Sequence, residues 1–191
     1  KKKYNKVCLS LDTRKSEIMI KGIKYGADII NDVSGFNYEN QSLLKLKKYN
    51  VAKVLHHMQG TPNTMQKSPK YKNVLLDIYD FFEKGIKEIK NKKIIIDPGI
   101  GFGKNLKHNL TLISKISLFH SLGLPILIGT SRKRFISQIS GDNDSKERIG
   151  GTIASVLFLL SQGVQIFRVH DVNEVKQSIL VFEKILSNFK N

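Results

Sequence analysis

Lys93-Ile94-Ile95-Ile96-Asp97-Pro98-Gly99-Ile100-Gly101-Phe102-Gly103-Lys104 carries the unit on which the chain is built: an apolar run, a carboxylate at its end, then a turn. The isoleucines show no polar alternation, as befits a strand covered on both faces, and the Pro and glycines stop any regular element. Residues 7–11, 28–31, 52–55, 125–129 and 166–169 repeat the plan, closing near Asp12, Asn31, His56 with His57, Lys133, and Arg168 with His170. Helical patterns fill the gaps at 16–25, 41–49, 74–89, 106–122 and 145–160, with a last one at 172–189. Strand and helix thus alternate six times, the pattern of βα units with right-handed crossovers. Parallel strands of this kind expose their carboxyl ends on one face, where ligands bind.

Two α/β architectures fit, a doubly wound open sheet and a (β/α)8 barrel. A complete barrel takes about 250 residues, so the 191 of this chain are expected to supply only part of one. No internal repeat, low-complexity tract or linker divides them, and one domain over residues 1–191 is expected.

A net charge of +16 raises nucleic-acid binding, but the type of charge argues against it. Of 32 Lys and Arg residues only Arg14, Arg132, Arg134, Arg148 and Arg168 are Arg, the usual reader of base edges. Aromatics are not interleaved with the cations as stacking platforms would be, so the lysines read as solvated faces and no nucleic-acid partner is expected. No apolar stretch approaches the roughly 18 residues of a membrane span, and no secretory pattern opens the chain. Cys8 has no second cysteine to pair with and reads as a small buried hydrophobe in a cytoplasmic protein. The opening Lys1-Lys2-Lys3, without an initiator Met, is expected not to be the native amino terminus.

The glycine loop after Asp97 is not a standard phosphate cradle. Gly99 and Gly103 enclose three residues where a Walker loop has four, Asn105 follows Lys104 in place of Ser or Thr, and Lys104 replaces the third Gly of a dinucleotide fingerprint. What remains is a carboxylate at a strand end, followed by a loop with an aromatic and a cation. Asp12 and Asn31 end neighbouring strands in the same manner. Beside Asp97 they form a polar cluster suited to a flat heterocycle, because a carboxylate accepts two parallel donors such as the ring N–H and exocyclic amine of a 2-aminopyrimidinone. Asp12 also fits an N-cap for the helix near Ser16. In Gly129-Thr130-Ser131-Arg132-Lys133-Arg134, three consecutive cations repel one another unless offset, which points to an anionic ligand or to a solvated basic turn at the start of a helix. Arg168 and His170, two apart on one strand, point to the same side and suit a phosphate or diphosphate. His56-His57-Met58-Gln59-Gly60 lacks zinc-site spacing, and no metal ligand is assigned in this chain.

Taken together, the segments resemble the dihydropteroate synthases of the pterin-binding barrel family. The resemblance runs through Leu11-Asp12-Thr13, Ile29-Ile30-Asn31-Asp32, His57-Met58-Gln59-Gly60-Thr61-Pro62 and the loop from Asp97 to Asn105. It continues in Gly129-Thr130-Ser131-Arg132-Lys133, Glu147-Arg148, Gly150-Gly151-Thr152 and Arg168-Val169-His170-Asp171. It implies a (β/α)8 barrel that condenses 6-hydroxymethyl-7,8-dihydropterin diphosphate with 4-aminobenzoate, a folate-pathway transferase reaction inhibited by sulfonamides. Carried over by position, it implies pterin contacts from Asp12, Asn31, Asp97, Lys133 and Arg168, with Val33, Leu127 and Gly129 as apolar or close-contact positions. Phe102, Lys133 and Arg134 fall on the aminobenzoate side, and Arg168 and His170 on the diphosphate. Lys133, Arg168 and His170 are the expected catalytic groups.

The match begins at the family's third strand, so the chain is expected to supply the third to eighth strands and to lack an amino-terminal part. That part is expected to hold the loop Asn that helps bind magnesium diphosphate, making Mg2+ an implied cofactor. A homodimer is implied as well. His56 departs from the apolar Met common at its position. Two further readings share the pocket: a pterin-binding methyltransferase domain and a non-catalytic pterin-binding subunit.

Overall fold

The computed structural model describes residues 6–89, 93–141 and 144–189; Lys1-Lys2-Lys3 lies outside them. Among the described residues the strands are β1 (Ser10–Asp12), β2 (Ile29–Asp32), β3 (Ala52–His56), β4 (Ile94–Asp97), β5 (Leu127–Ile128) and β6 (Ile166–Phe167). The helices α1 (Ser16–Lys24), α2 (Ser42–Leu46), α3 (Val74–Ile89) and α4 (Leu106–Ser114) each follow the strand of the same number. After β5 come α5 (Arg134–Ser140) and α6 (Ile149–Ser161), and α7 (Val172–Phe189) follows β6. β1 to β4 pair in parallel in chain order, β5 pairs with β6, and a parallel bridge between Ile96 and Ile126 links the two sheets. A doubly wound sheet reverses its order at a switch point; these strands never do, and they stand as consecutive staves of a (β/α)8 barrel.

Side-chain alternation divides the core into two layers. Outward positions such as Ile30, Leu55, Ile96 and Ile128 pack against Met19, Ile78, Phe82, Leu112 and Leu159 of the helices. Inward positions Val54, Ile95 and Leu127 form a second, smaller cluster with Ile29, Ala52 and Ile166. In β2, β4, β5 and β6 apolar residues therefore stand on both faces, which explains the uniform runs in the sequence.

Several expected boundaries move. β1 begins at Ser10 rather than residue 7, and Cys8 is exposed, correcting its reading as a buried thiol. β1 pairs only with β2 among the described residues, and the Leu9 N–H bonds the Asp28 carboxylate at 2.9 Å. The 106–122 pattern splits into α4 and a 3-10 segment, Ile116–Leu122, which ends where Gly123 turns to φ 67°. Helix α5 starts at the basic turn but lies outside the periodic helical stretches, since its seven residues are too few to establish a period. No helix among the described residues is long and apolar enough to cross a membrane.

Candidate active site

Two residues beyond the inner apolar layer, the same strand faces carry Asn31, His56, Asp97, Gly129 and Arg168, with Asp12 paired in register beside Asn31. These six line one cavity of about 480 Å³, together with Val33, Phe102, Ser131, Lys133 and His170. Asp12, Asn31, Asp97, Lys133 and Arg168, expected at one rim from their places at strand ends, are thus brought together. Leu127 is not among these lining residues and packs in the apolar layer beneath Gly129. Arg134 is exposed and lines a neighbouring cavity of about 260 Å³ with Lys104 and Gln138; Lys133 borders both spaces.

Asp12 does not cap α1. Lys15 occupies that N-cap, whereas Asp12 Oδ1 accepts from Asn31 Nδ2 at 3.1 Å and Oδ2 from Arg168 Nη2 at 2.9 Å. Asn31 Oδ1 is buried without a partner, a condition that costs about 1–3 kcal/mol until a donor reaches it. Asp97 Oδ1 accepts from the Gly99 N–H at 2.8 Å, while Oδ2 lies 3.9 Å from His56 Nε2. Gly99 is required here: its φ is 68°, and a Cβ would lie 2.0 Å from the His57 carbonyl oxygen.

The three consecutive cations after β5 are separated by their surroundings. Arg132 donates to Asp171 through both Nε and Nη2. Lys133 Nζ lies 4.2 Å from the centroid of the Phe102 ring, and burial lowers its pKa against the pull of Asp97. Arg134 faces solvent. Ser131 Oγ accepts the backbone N–H of His170 at 3.2 Å and stands 2.8 Å from His170 Nδ1. The hydroxyl thus holds both the His170 backbone and its ring, the latter through Nδ1.

Behind the glycine loop lies a pair that the sequence did not mark. Lys104 Nζ is 3.0 Å from His57 Nδ1 and donates to the Phe102 carbonyl at 2.9 Å, although only 3% of Lys104 is exposed. Burial lowers Lys104 to about 7, and burial together with the nearby Lys104 lowers His57 to about 2. Asn109 Oδ1 accepts the Gly101 N–H at 2.7 Å, and the Tyr71 hydroxyl donates to the Gly103 carbonyl at 2.7 Å. The loop that carries Phe102 is therefore held from three sides. A cation after glycines reads as solvated, and no spacing announces its burial.

Residues 1–170 match the pterin binding enzyme family. The chain is 39% identical over 190 residues to the dihydropteroate synthase of Escherichia coli (strain K12), covering 97% of this chain and 67% of that one. The Yersinia pestis dihydropteroate synthase, solved with a sulfonamide drug complex, superposes with a TM-score of 0.92 at 35% identity, covering 97% of this chain and 69% of that one. The Thermus thermophilus enzyme in complex with 4-aminobenzoate gives 0.88 at 35% identity, covering 94% and 75%, and it has also been solved in complex with 6HMPPP. The chain thus spans about two thirds of the length of its curated relatives. By its consecutive staves, its shared cavity and these likenesses, the chain belongs to the pterin binding enzyme family, among the dihydropteroate synthases.

Proposed function

We infer that the chain acts as a dihydropteroate synthase, joining 6-hydroxymethyl-7,8-dihydropterin diphosphate to 4-aminobenzoate and releasing diphosphate. The convergence of Asp12, Asn31, Asp97, Lys133 and Arg168 on one cavity carries this reading. Asp97 Oδ2 and Asn31 Oδ1 are the acceptors for the donor edge of the pterin, and Asp12 adds a carboxylate beside them. Lys133, bordering both cavities, stands where pterin and aminobenzoate meet, with Phe102 and Arg134 on the aminobenzoate side. Arg168 and the His170 ring receive the diphosphate.

The chemistry then needs no enzyme nucleophile. The bond from the pterin methylene carbon to the diphosphate oxygen breaks, its electron pair leaves on diphosphate, and positive charge spreads into the ring. The neutral aromatic amine attacks that carbon, forms the C–N bond and gives up a proton to solvent. Asp12 and Asp97 favour the electron-poor ring, while Arg168 and His170 stabilise the departing charge, so the site acts by orientation and preorganised electrostatics. Magnesium is implied by the family resemblance. Among the described residues no three His, Cys, Asp or Glu side chains gather where they could hold a metal ion.

A homodimer belongs to the same proposal, supported by apolar side chains that α6 and α7 leave exposed, Phe158, Val181 and Ile185 among them. Sedimentation should give twice the monomer mass, and a monomer at all micromolar concentrations would remove this part. A cytoplasmic setting suits the unpaired Cys8. Incubating the full chain with both substrates should yield 7,8-dihydropteroate containing labelled aminobenzoate. Methyl transfer from a methyl donor, with no dihydropteroate formed, would overturn the reading.

A further inference from the structure

We propose that His56 is a specificity-determining residue whose Nε2 accepts a hydrogen bond from the exocyclic amine of the bound pterin, sharing that amine with Asp97 Oδ2. The inference rests on the pterin reading of the cavity. His56 stands in the same inward layer as Asn31 and Asp97, lines the cavity and is 2% exposed. Its Nδ1 lies 3.0 Å from the Val33 carbonyl oxygen. A carbonyl can only accept, so Nδ1 carries the hydrogen and Nε2 of the neutral ring carries a lone pair. Burial, with Lys104 and Lys133 nearby, keeps the ring neutral against the opposing charge of Asp97.

The orientation of that lone pair is fixed. The Phe102 ring meets the imidazole edge-on with centroids 4.6 Å apart. On another side Gly99 approaches so closely that a Cβ there would lie 3.0 Å from His56 Cε1 and 3.2 Å from Nε2. Nε2 is thereby held 3.9 Å from Asp97 Oδ2, two acceptors with no hydrogen between them. That separation is too long for a direct bond and suits a group presenting one hydrogen to each. An amine on a trigonal carbon has two hydrogens in a plane and satisfies both acceptors at once. A 2-oxo heterocycle would instead set a third acceptor against the other two, so the pair discriminates between amino and oxo rings.

Calorimetry on the full chain with 6-hydroxymethylpterin and 6-hydroxymethyllumazine, its 2-oxo counterpart, tests the assignment. His56→Met should weaken pterin binding about tenfold and shrink the pterin-to-lumazine preference by the same factor, the loss of one hydrogen bond to a buried acceptor. His56→Gln, which keeps an acceptor, should recover part of both. Independently of any variant, the 15N resonance of His56 Nε2 in the unaltered chain should shift on adding the pterin and not on adding the lumazine. An unchanged preference in His56→Met, or an Nε2 resonance indifferent to bound pterin, would overturn the role of His56 alone. A chain that binds neither ring would overturn the pterin reading, and this inference with it.

Discussion

Arg168 Nη2 stands 2.9 Å from Asp12 Oδ2, joining residues 156 apart in sequence at the carboxyl ends of the last and first described strands. Both side chains are well exposed, at 60% and 42%, so the pair is worth little in water and opens readily. A guanidinium parked on a carboxylate beside the cavity is poised to exchange that partner for a more highly charged anion.

Arg168→Ala should therefore weaken pterin diphosphate binding by about 10- to 100-fold, the worth of charge-assisted hydrogen bonds to phosphate. Affinity for 6-hydroxymethylpterin, which has no diphosphate, should stay within about threefold on the same scale. Titrations at low and high salt check this, because the lost part should also be the salt-sensitive part. Equal losses for both ligands would place Arg168 on the ring alone.

Asp97→Ala strands the ring donors and leaves the Gly99 N–H without its 2.8 Å acceptor. Pterin affinity should fall at least about 100-fold, with Asp97→Asn intermediate because one acceptor survives. Calorimetry of the two variants side by side measures the order; equal, mild effects would contradict the assigned role.

Ser131→Ala removes the hydroxyl that holds the His170 ring through Nδ1. The turnover number should fall about tenfold while the KM for aminobenzoate holds, because the lost interaction serves the departing diphosphate. Ser131→Thr should restore most of the rate. A change confined to KM would assign Ser131 to substrate binding instead.

Lys104 predicts a pH dependence of stability. Its pKa is about 7 in the folded chain and near the ordinary lysine value of about 10.4 when unfolded, so between these values the unfolded state binds more protons. Stability therefore rises with pH across that window, as the cost of a buried ammonium disappears. Lys104→Met should lack this rise, so the wild-type denaturant midpoint should gain on that of the variant toward high pH. Parallel curves would mean that Lys104 keeps its charge at no cost.

The strand ends were legible because each apolar run closes on a polar residue, and chain order alone then placed Asp12, Asn31, Asp97 and Arg168 on one face. The depth of individual residues was not legible, because strands apolar on both sides show no phase. Leu127 and Gly129 share a face one layer apart, and only the packed structure separates the buried layer from the cavity wall. Lys104 escaped for another reason: its partners, the Phe102 carbonyl and His57, arrive through tertiary contact. The pairing of Arg132 with Asp171 across 39 residues likewise has no local signal, and it removes one of three charges that would otherwise call for an anion.

A crystal structure of the full chain with bound 6-hydroxymethylpterin bears most directly on whether those side chains serve one flat guest. The aminopyrimidinone edge should lie within hydrogen-bond reach of Asp97 Oδ2 and Asn31, with Lys133 and Arg168 at its border. A pterin seated elsewhere, or lying in the cavity with that edge turned to solvent and Asp97 untouched, would contradict it.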